Sequence, residues 1–232
     1  MAIDYNQFKL SKFVDDFFID NINNMTSDSC HVNKLKIEQY FPWNGNIDFN
    51  NLKIDNVGKY SITLPKKADN ITRIILSHCS HFNKQITITD ATAGVGGNVL
   101  SFYKNNMIVN AVELDQTRFQ YLSHNINEYG YNISLHNADY THIYDNLRQD
   151  VIFIDPPWGG TTYKQSDEVN LKLGDLTIEQ LCNNIIDKKL AFLTVLKLPF
   201  NYNINYIKEH INNSFTIYKL KNILLIIISN IN

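Results

Sequence analysis

Apolar residues recur along this chain with two different periods, and the alternation between them predicts its elements. Between residues 5 and 24, Phe8, Leu10, Phe13, Val14, Phe17, Phe18 and Ile22 leave one apolar face among polar positions, which predicts an amphipathic helix. Its simplest role is to pack on the body of the protein, the sharper one to form a lid over a substrate. Met25 to Ser29 reads as loop. Residues 31–56 combine a short helix around Lys34 to Tyr40 with the turn-rich Phe41-Pro-Trp-Asn-Gly45. Ala68, Ile71, Ile74, Ile75 and Leu76 predict a helix over Leu64 to His78, preceded by Tyr60-Ser-Ile-Thr63.

The period then shortens. Strands are predicted at Gln85 to Asp90, Met107 to Glu113, Asn132 to His136, Val151 to Ile154 and Leu190 to Leu196. Between them fall a helix start after Ala91-Thr-Ala-Gly94-Val-Gly96-Gly97-Asn98, a helix over Thr117 to Tyr129 closed by Gly130, and a helix over Leu176 to Ile186. Thr161 to Asp175 reads as a loop over the strand ends, and Asn203 to Ile211 as helix. Phe215 to Tyr218 and Ile223 to Ile228 are strands whose short link requires an antiparallel pair. Strands alternating with helices, then a terminal hairpin, describe an α/β fold with a mostly parallel sheet covered on both faces.

Composition narrows the classes. A chain of 232 residues with 44% hydrophobic content supports one domain with an N-terminal elaboration, here residues 1–56 before a domain at 57–232. A net charge of −2 argues against coating extended duplex nucleic acid, although a small charged ligand or an RNA terminus fits. Cys30, Cys79 and Cys182 are far apart and odd in number, so neither a disulfide framework nor a zinc knuckle is expected, and no metal. No leader pattern opens the chain and no apolar run is long enough to span a bilayer, so the expectation is an intracellular, membrane-free monomer.

The chemistry-bearing residues fall at strand ends. Asp90, Glu113, Asp139 and Asp155 each close a predicted strand, where an open parallel sheet binds its ligand. Glycines of the turn at 94–97 let backbone approach a ligand at a helix N-terminus, and Gly94 precedes Glu113 by about the 20 residues that separate a glycine-rich loop from a ribose-binding acid. That turn alone fits a nicotinamide cofactor as well. What discriminates is Asp155-Pro-Pro-Trp158 at the end of the fourth strand: the prolines stiffen the turn, and an acid and an indole on it can hold a flat substrate.

This tetrad resembles the (Asp/Asn/Ser)-Pro-Pro-aromatic motif of S-adenosylmethionine-dependent methyltransferases that modify exocyclic amines of purines. Such an amine is a poor nucleophile because its lone pair is delocalised into the ring. Acceptors for its hydrogens, the Asp155 side chain and the Pro156 carbonyl, favour a geometry with the lone pair aimed at the methyl group. Read with Lys59-Tyr-Ser-Ile-Thr63, Asp90-Ala-Thr-Ala-Gly94-Val-Gly-Gly-Asn98 and Trp158-Gly-Gly160, residues 48–230 resemble the trimethylguanosine synthases, which methylate N2 of a 7-methylguanosine RNA cap.

The resemblance implies a class I, Rossmann-like methyltransferase with a mostly parallel seven-stranded sheet, S-adenosylmethionine as cofactor, S-adenosylhomocysteine as product, and capped RNA or a cap nucleotide as partner. It places Asp90, Thr92, Gly94, Gly96 and Asn98 at the methionine end of the cofactor, Glu113 at the ribose, Asp139 at the adenine amine, and Ser61 and Thr63 along the same pocket. Asn125 falls where the family contacts the cap base, and Trp158 would stack on it, with Tyr163 nearby. Three departures stand out. Asp155 replaces the serine common among close members, Ala91-Thr-Ala93 replaces a Phe-Cys pair, and Leu198-Pro-Phe200-Asn201 lacks the family's phosphate-binding arginine, for which Lys197 is the substitute. The aspartate brings the motif nearer to enzymes acting on adenine N6 or guanine N2 within RNA or DNA; an inactive cap-binding module is the third reading.

Overall fold

The computed structural model describes residues 36–160 and 169–230. The helix expected over residues 5–24, Cys30 and Tyr163 lie outside them.

Nine strands are described. The main sheet takes β1 (Thr87–Asp90), β2 (Ile108–Glu113), β3 (Ser134–Asn137) and β4 (Val151–Ile154), while β5 (Lys172–Leu173) and β6 (Leu176–Thr177) form a separate small hairpin. β7 (Leu193–Pro199), β8 (Phe215–Leu220) and β9 (Ile223–Ser229) complete the main sheet, whose order is β3-β2-β1-β4-β7-β9-β8. Every pairing from β3 to β7 is parallel, and β9 runs antiparallel to both β7 and β8. The chain therefore builds outward from β1 to β3, returns, and continues from β4 on the other side. Strand order reverses between β1 and β4, the place where an open α/β sheet leaves a crevice at its carboxyl edge.

Helices α1 (Asn56–Ser61), α2 (Pro65–His78), α3 (Gly97–Lys104), α4 (Gln116–Glu128), α5 (Tyr140–Ile143), α6 (Ile178–Asp187) and α7 (Ile204–His210) connect and cover the strands. Several start on side-chain caps: Asp115 accepts from the Arg118 amide, Asn203 from the Tyr206 amide, and Thr177 with Gln180 forms a capping box. Alternation along the strands sorts the interior into two layers. Val151 and Phe153 of β4 join Ile71, Leu100 and Leu122 on one face; Ile152 and Ile154 join Ile178, Leu181 and Ile207 on the other. Trp158 touches both layers, because it stands just beyond the end of β4.

Some expectations shift. The fifth strand of the parallel run lies at Leu193–Pro199 rather than Leu190 to Leu196, since Lys188 and Lys189 still belong to the turn that ends α6. Of the short helix expected around Lys34 to Tyr40, the described part holds a 3-10 turn at Ile37–Gln39. Helix α1 went unread because it is short and carries Gly58, yet Asp55 caps it by accepting from the Gly58 amide at 2.7 Å. The loop expected over Thr161 to Asp175 contains, in its described part, β5 and the turn after it, while β6 takes the first two residues of the helix expected over Leu176 to Ile186, which starts at Ile178. Tyr40, Phe41, Ile47 and Leu52 join the same core layer as α2 and α3. Cys79 and Cys182 are buried and unpaired with each other. Among the described residues no helix could cross a membrane and no cluster of acids, histidines and cysteines could hold a metal.

Candidate active site

The carboxyl ends of β1, β2 and β4 bring three of the four strand-end acids to the reversal point. β1 and β4 are neighbours, with Asp90 paired in register to Phe153 and the Ala91 amide donating to the Phe153 carbonyl at 2.9 Å. Asp155 stands two residues further, its amide donating to the Thr92 hydroxyl at 2.9 Å. Thr92 thereby ties the β4 turn to the β1 turn, a role that its place in the cofactor motif did not announce.

Asp90 is fully buried. One carboxylate oxygen accepts from the Thr92 amide at 3.1 Å, while the other is buried with no hydrogen-bond partner among the described residues. Burial pushes its pKa from 3.8 up to about 8, with Asp155 and Glu113 adding to the rise and the Thr92 amide and Lys197 opposing it. Asn98, in the first turn of α3, donates to the Thr63 hydroxyl at 3.2 Å and also leaves a buried carbonyl oxygen without a partner. Two orphaned acceptors beside one glycine turn are what a cationic, donor-rich ligand such as an amino-acid ammonium could satisfy.

Glu113 is held differently. Its oxygens accept from the Gly94 amide at 2.8 Å and the Asp115 amide at 2.8 Å, with Arg118 at 3.5 Å. Arg118 also reaches Asp55 at 3.8 Å and Asp115 at 3.5 Å, so it braces the segment before α1 against the end of β2, a function no local motif signals. Gly97 is required by close approach: a Cβ there would lie 2.8 Å from the Thr63 carbonyl and 3.1 Å from its amide. Thr63 is buried at this contact, whereas Ser61 is exposed and donates to the Val57 carbonyl at 3.0 Å.

Asp139 caps α5, accepting from the amide and hydroxyl of Thr141 at 2.8 and 2.7 Å. A Cβ on Gly174 would lie 2.8 Å from the Thr141 hydroxyl and 3.1 Å from the second Asp139 oxygen, and Gly174 has a φ of +56°, so the β5–β6 turn closes against this cap as glycine.

At the β4 turn Pro156 is buried and Pro157 exposed, with Trp158 half-buried after them. Asp155 forms a short ion pair with Lys197, whose ammonium also stands 5.0 Å from the centre of the Trp158 ring. Burial raises the Asp155 pKa, and Lys197 by charge and hydrogen bond, then Lys67, oppose the rise. Lys67 of α2 is a neighbour the sequence did not single out; burial, then Lys197 and Lys221, lower its own pKa.

Two residues expected to contact substrate are already engaged within the protein. Lys197, the substitute for a phosphate-binding arginine, is 5% exposed and committed to Asp155 and the indole, so it faces inward. Asn125, expected at the base, is wholly buried. Its carbonyl accepts from the Lys53 amide at 2.8 Å, and its amide donates to the Lys53 and Val95 carbonyls at 2.9 and 3.1 Å. It clamps backbone and has no donor left for a base.

The same fold appears in the 16S rRNA N2 methyltransferase RsmC of Thermus thermophilus, solved with AdoMet and guanosine, at a TM-score of 0.54 and 14% identity over 76% of this chain and 43% of that one. It appears also in the METTL16 methyltransferase domain, at a TM-score of 0.51 and 14% identity over 81% of this chain and 73% of that one. The architecture is thus the Rossmann-like fold of class I methyltransferases. At the level of sequence, the model of the family described as RNA cap guanine-N2 methyltransferase matches residues 85–226. Protein L320 of Acanthamoeba polyphaga mimivirus is 36% identical over 196 residues, 73% of this chain and 77% of that protein. The chain belongs to the RNA cap guanine-N2 methyltransferase family, and it is an S-adenosylmethionine-dependent methyltransferase.

Proposed function

We propose that this protein transfers a methyl group from S-adenosylmethionine to the exocyclic N2 of a 7-methylguanosine RNA cap, giving the 2,7-dimethyl or 2,2,7-trimethyl product. The observation that carries the proposal is the Asp155-Pro-Pro-Trp158 turn, hydrogen-bonded through Thr92 to the β1 glycine turn, in a chain of this family. The cofactor supplies an electrophilic sulfonium methyl and leaves as S-adenosylhomocysteine. Asp90 and Asn98 receive its ammonium beside Gly94, Gly96 and Gly97, Glu113 its ribose hydroxyls, and Asp139 its adenine amine. Ser61 and Thr63 border the pocket.

On the acceptor side, the Asp155 carboxylate and Pro156 carbonyl take the hydrogens of N2, which turns the lone pair toward the methyl. As the N–C bond forms, the amine proton passes toward Asp155 or to water. Trp158 supports the base plane, with Tyr163 close in sequence. A 7-methylguanine ring is cationic and gains roughly 0.5–2 kcal/mol over an indole face relative to a neutral ring.

Asp155 in place of serine sustains one other reading, guanine-N2 or adenine-N6 methylation of internal RNA or DNA bases. Labelled cofactor offered with m7GTP, m7GDP, GTP and uncapped RNA separates the two. Transfer to the m7G nucleotides is expected, and Trp158→Ala should narrow their advantage over GTP. Equal or better transfer to GTP or to uncapped polynucleotide defeats cap specificity.

A further inference from the structure

Lys197 is the one charged residue in β7, a strand buried along its whole length. Such a residue persists only when its charge is matched. The parallel ladder between β4 and β7 pairs Ile154 with Leu196, so Asp155 and Lys197 are the next residues on neighbouring strands. Register alone thus delivers the ammonium to the carboxylate, with side chains 6% and 15% exposed. The third member is Trp158, whose ring lies 5.0 Å from the same ammonium. One lysine therefore touches both groups that the proposed reaction uses.

We infer that Lys197 is a positioning residue that acts through Asp155: held between the carboxylate and the indole, it keeps Asp155 charged and aimed as acceptor for the amine hydrogens, and the two residues work only as a matched pair. This rests on the function proposed above. The charged and titratable groups facing Asp155 are Lys197 from β7, Lys67 from α2 and the buried Asp90 from β1; burial pushes the Asp90 pKa up to about 8, so Asp90 is protonated and the two lysines are the charges that act on Asp155. Without Lys197 the carboxylate keeps Lys67 as its one positive neighbour among the described residues. It then takes up a proton, its oxygen becomes a donor, and an N2 hydrogen loses its acceptor. Conversely, without Asp155 a buried ammonium is left on the face of Trp158 beside the base. A neutral pair, serine with methionine, avoids both faults.

The experiment is a double-mutant cycle of Lys197→Met, Asp155→Ser and the double variant, using whichever guanine substrate the wild type methylates. Cofactor binding by calorimetry and thermal midpoints are read on all four proteins. Lys197→Met is expected to lower kcat at pH 7 by about tenfold or more, and to move the acidic limb of the pH profile up by about one unit or more, with cofactor affinity little changed. Lys197→Arg should restore the wild-type limb. The double variant should be more active and more stable than the product of the single losses predicts, and more active than Asp155→Ser alone. An unmoved pH profile in Lys197→Met, or additive losses across the cycle, overturns the inference. If Lys197→Met does not fold, the comparison of Asp155→Ser with the double variant decides, and lower activity in the double variant overturns it. Absence of transfer to any guanine substrate defeats the proposed function instead; the thermal midpoints still report the pair, and their additivity would then overturn it.

Discussion

The two sides of the crevice handle charge in opposite ways. On the β1 side, Asp90 and Asn98 bury acceptors that no described residue satisfies. On the β4 side, Asp155 carries its own cation in Lys197. The first arrangement gains from a positively charged ligand; in the second the carboxylate already has its counter-charge. The difference separates binding from chemistry: the β1 side selects a cofactor by the charge it lacks, and the β4 side presents a finished acceptor to a base.

The largest expected effect comes from crossing the two sides. Asp155→Ala should lower transfer by about 10²–10⁴-fold while cofactor affinity changes little. Asp90→Asn should do the reverse at saturating cofactor, weakening cofactor binding by well over tenfold and leaving most of kcat. Calorimetric titration with cofactor beside single-turnover rates checks both. Loss of cofactor binding in Asp155→Ala, with rates preserved at saturation, would erase the distinction between the sides.

A second test uses pH. In the cofactor-free protein Asp90 holds its proton up to about 8, against 3.8 ordinarily. Its folded-state pKa is raised, and the acid is neutral when protonated, so the native state binds more protons than the unfolded one between these values. That contribution to stability is present below about 4 and is lost as pH rises towards about 8. Cofactor binding favours the carboxylate, so affinity should rise with pH through this range, with protons released on binding. It should fall again once a ligand α-amino group loses its charge near pH 8. Calorimetry in buffers of different ionisation enthalpy measures the release; Asp90→Asn should abolish it and flatten the rising limb.

How much of this was legible follows from what each contact depends on. The four strand-end acids and the glycine turn could be read because a strand's period and its terminating turn are local. Val151 to Ile154 was bounded correctly for the same reason, since an apolar run stops against an acid and two prolines. The Asp155–Lys197 pair could not be read, because it depends on the β4–β7 register across 42 positions. Asp155 did look unusual beside a serine-bearing family, and that was the one available signal that a compensating cation stood elsewhere. Helix α1 was lost to its length and to Gly58, and the bracing by Arg118 to a partner, Asp55, that is remote in sequence. The inward direction of Lys197 was equally hidden, because a lysine near a phosphate and a lysine inside a buried pair look the same in one dimension.

Asn125 gives the smallest expected effect and the finest division between the sides. Its three hydrogen bonds join Lys53, ahead of α1, to Val95 in the glycine turn, so it acts on the cofactor side, whereas contact with a base would place it on the acceptor side. Asn125→Ala should cost about 1–3 kcal/mol of stability, since it strands buried backbone groups at both segments. In a chain of this size that lowers the thermal midpoint by about 2–4 °C per kcal/mol. Because Val95 lies between Gly94, which donates to Glu113, and Gly96, the loosened turn should raise the KM for cofactor several-fold and leave the KM for the guanine substrate nearly unchanged. The opposite split, a selective rise in the KM for the base at constant cofactor affinity, would return Asn125 to the acceptor side. Cofactor and substrate titrations on a single folded variant measure both.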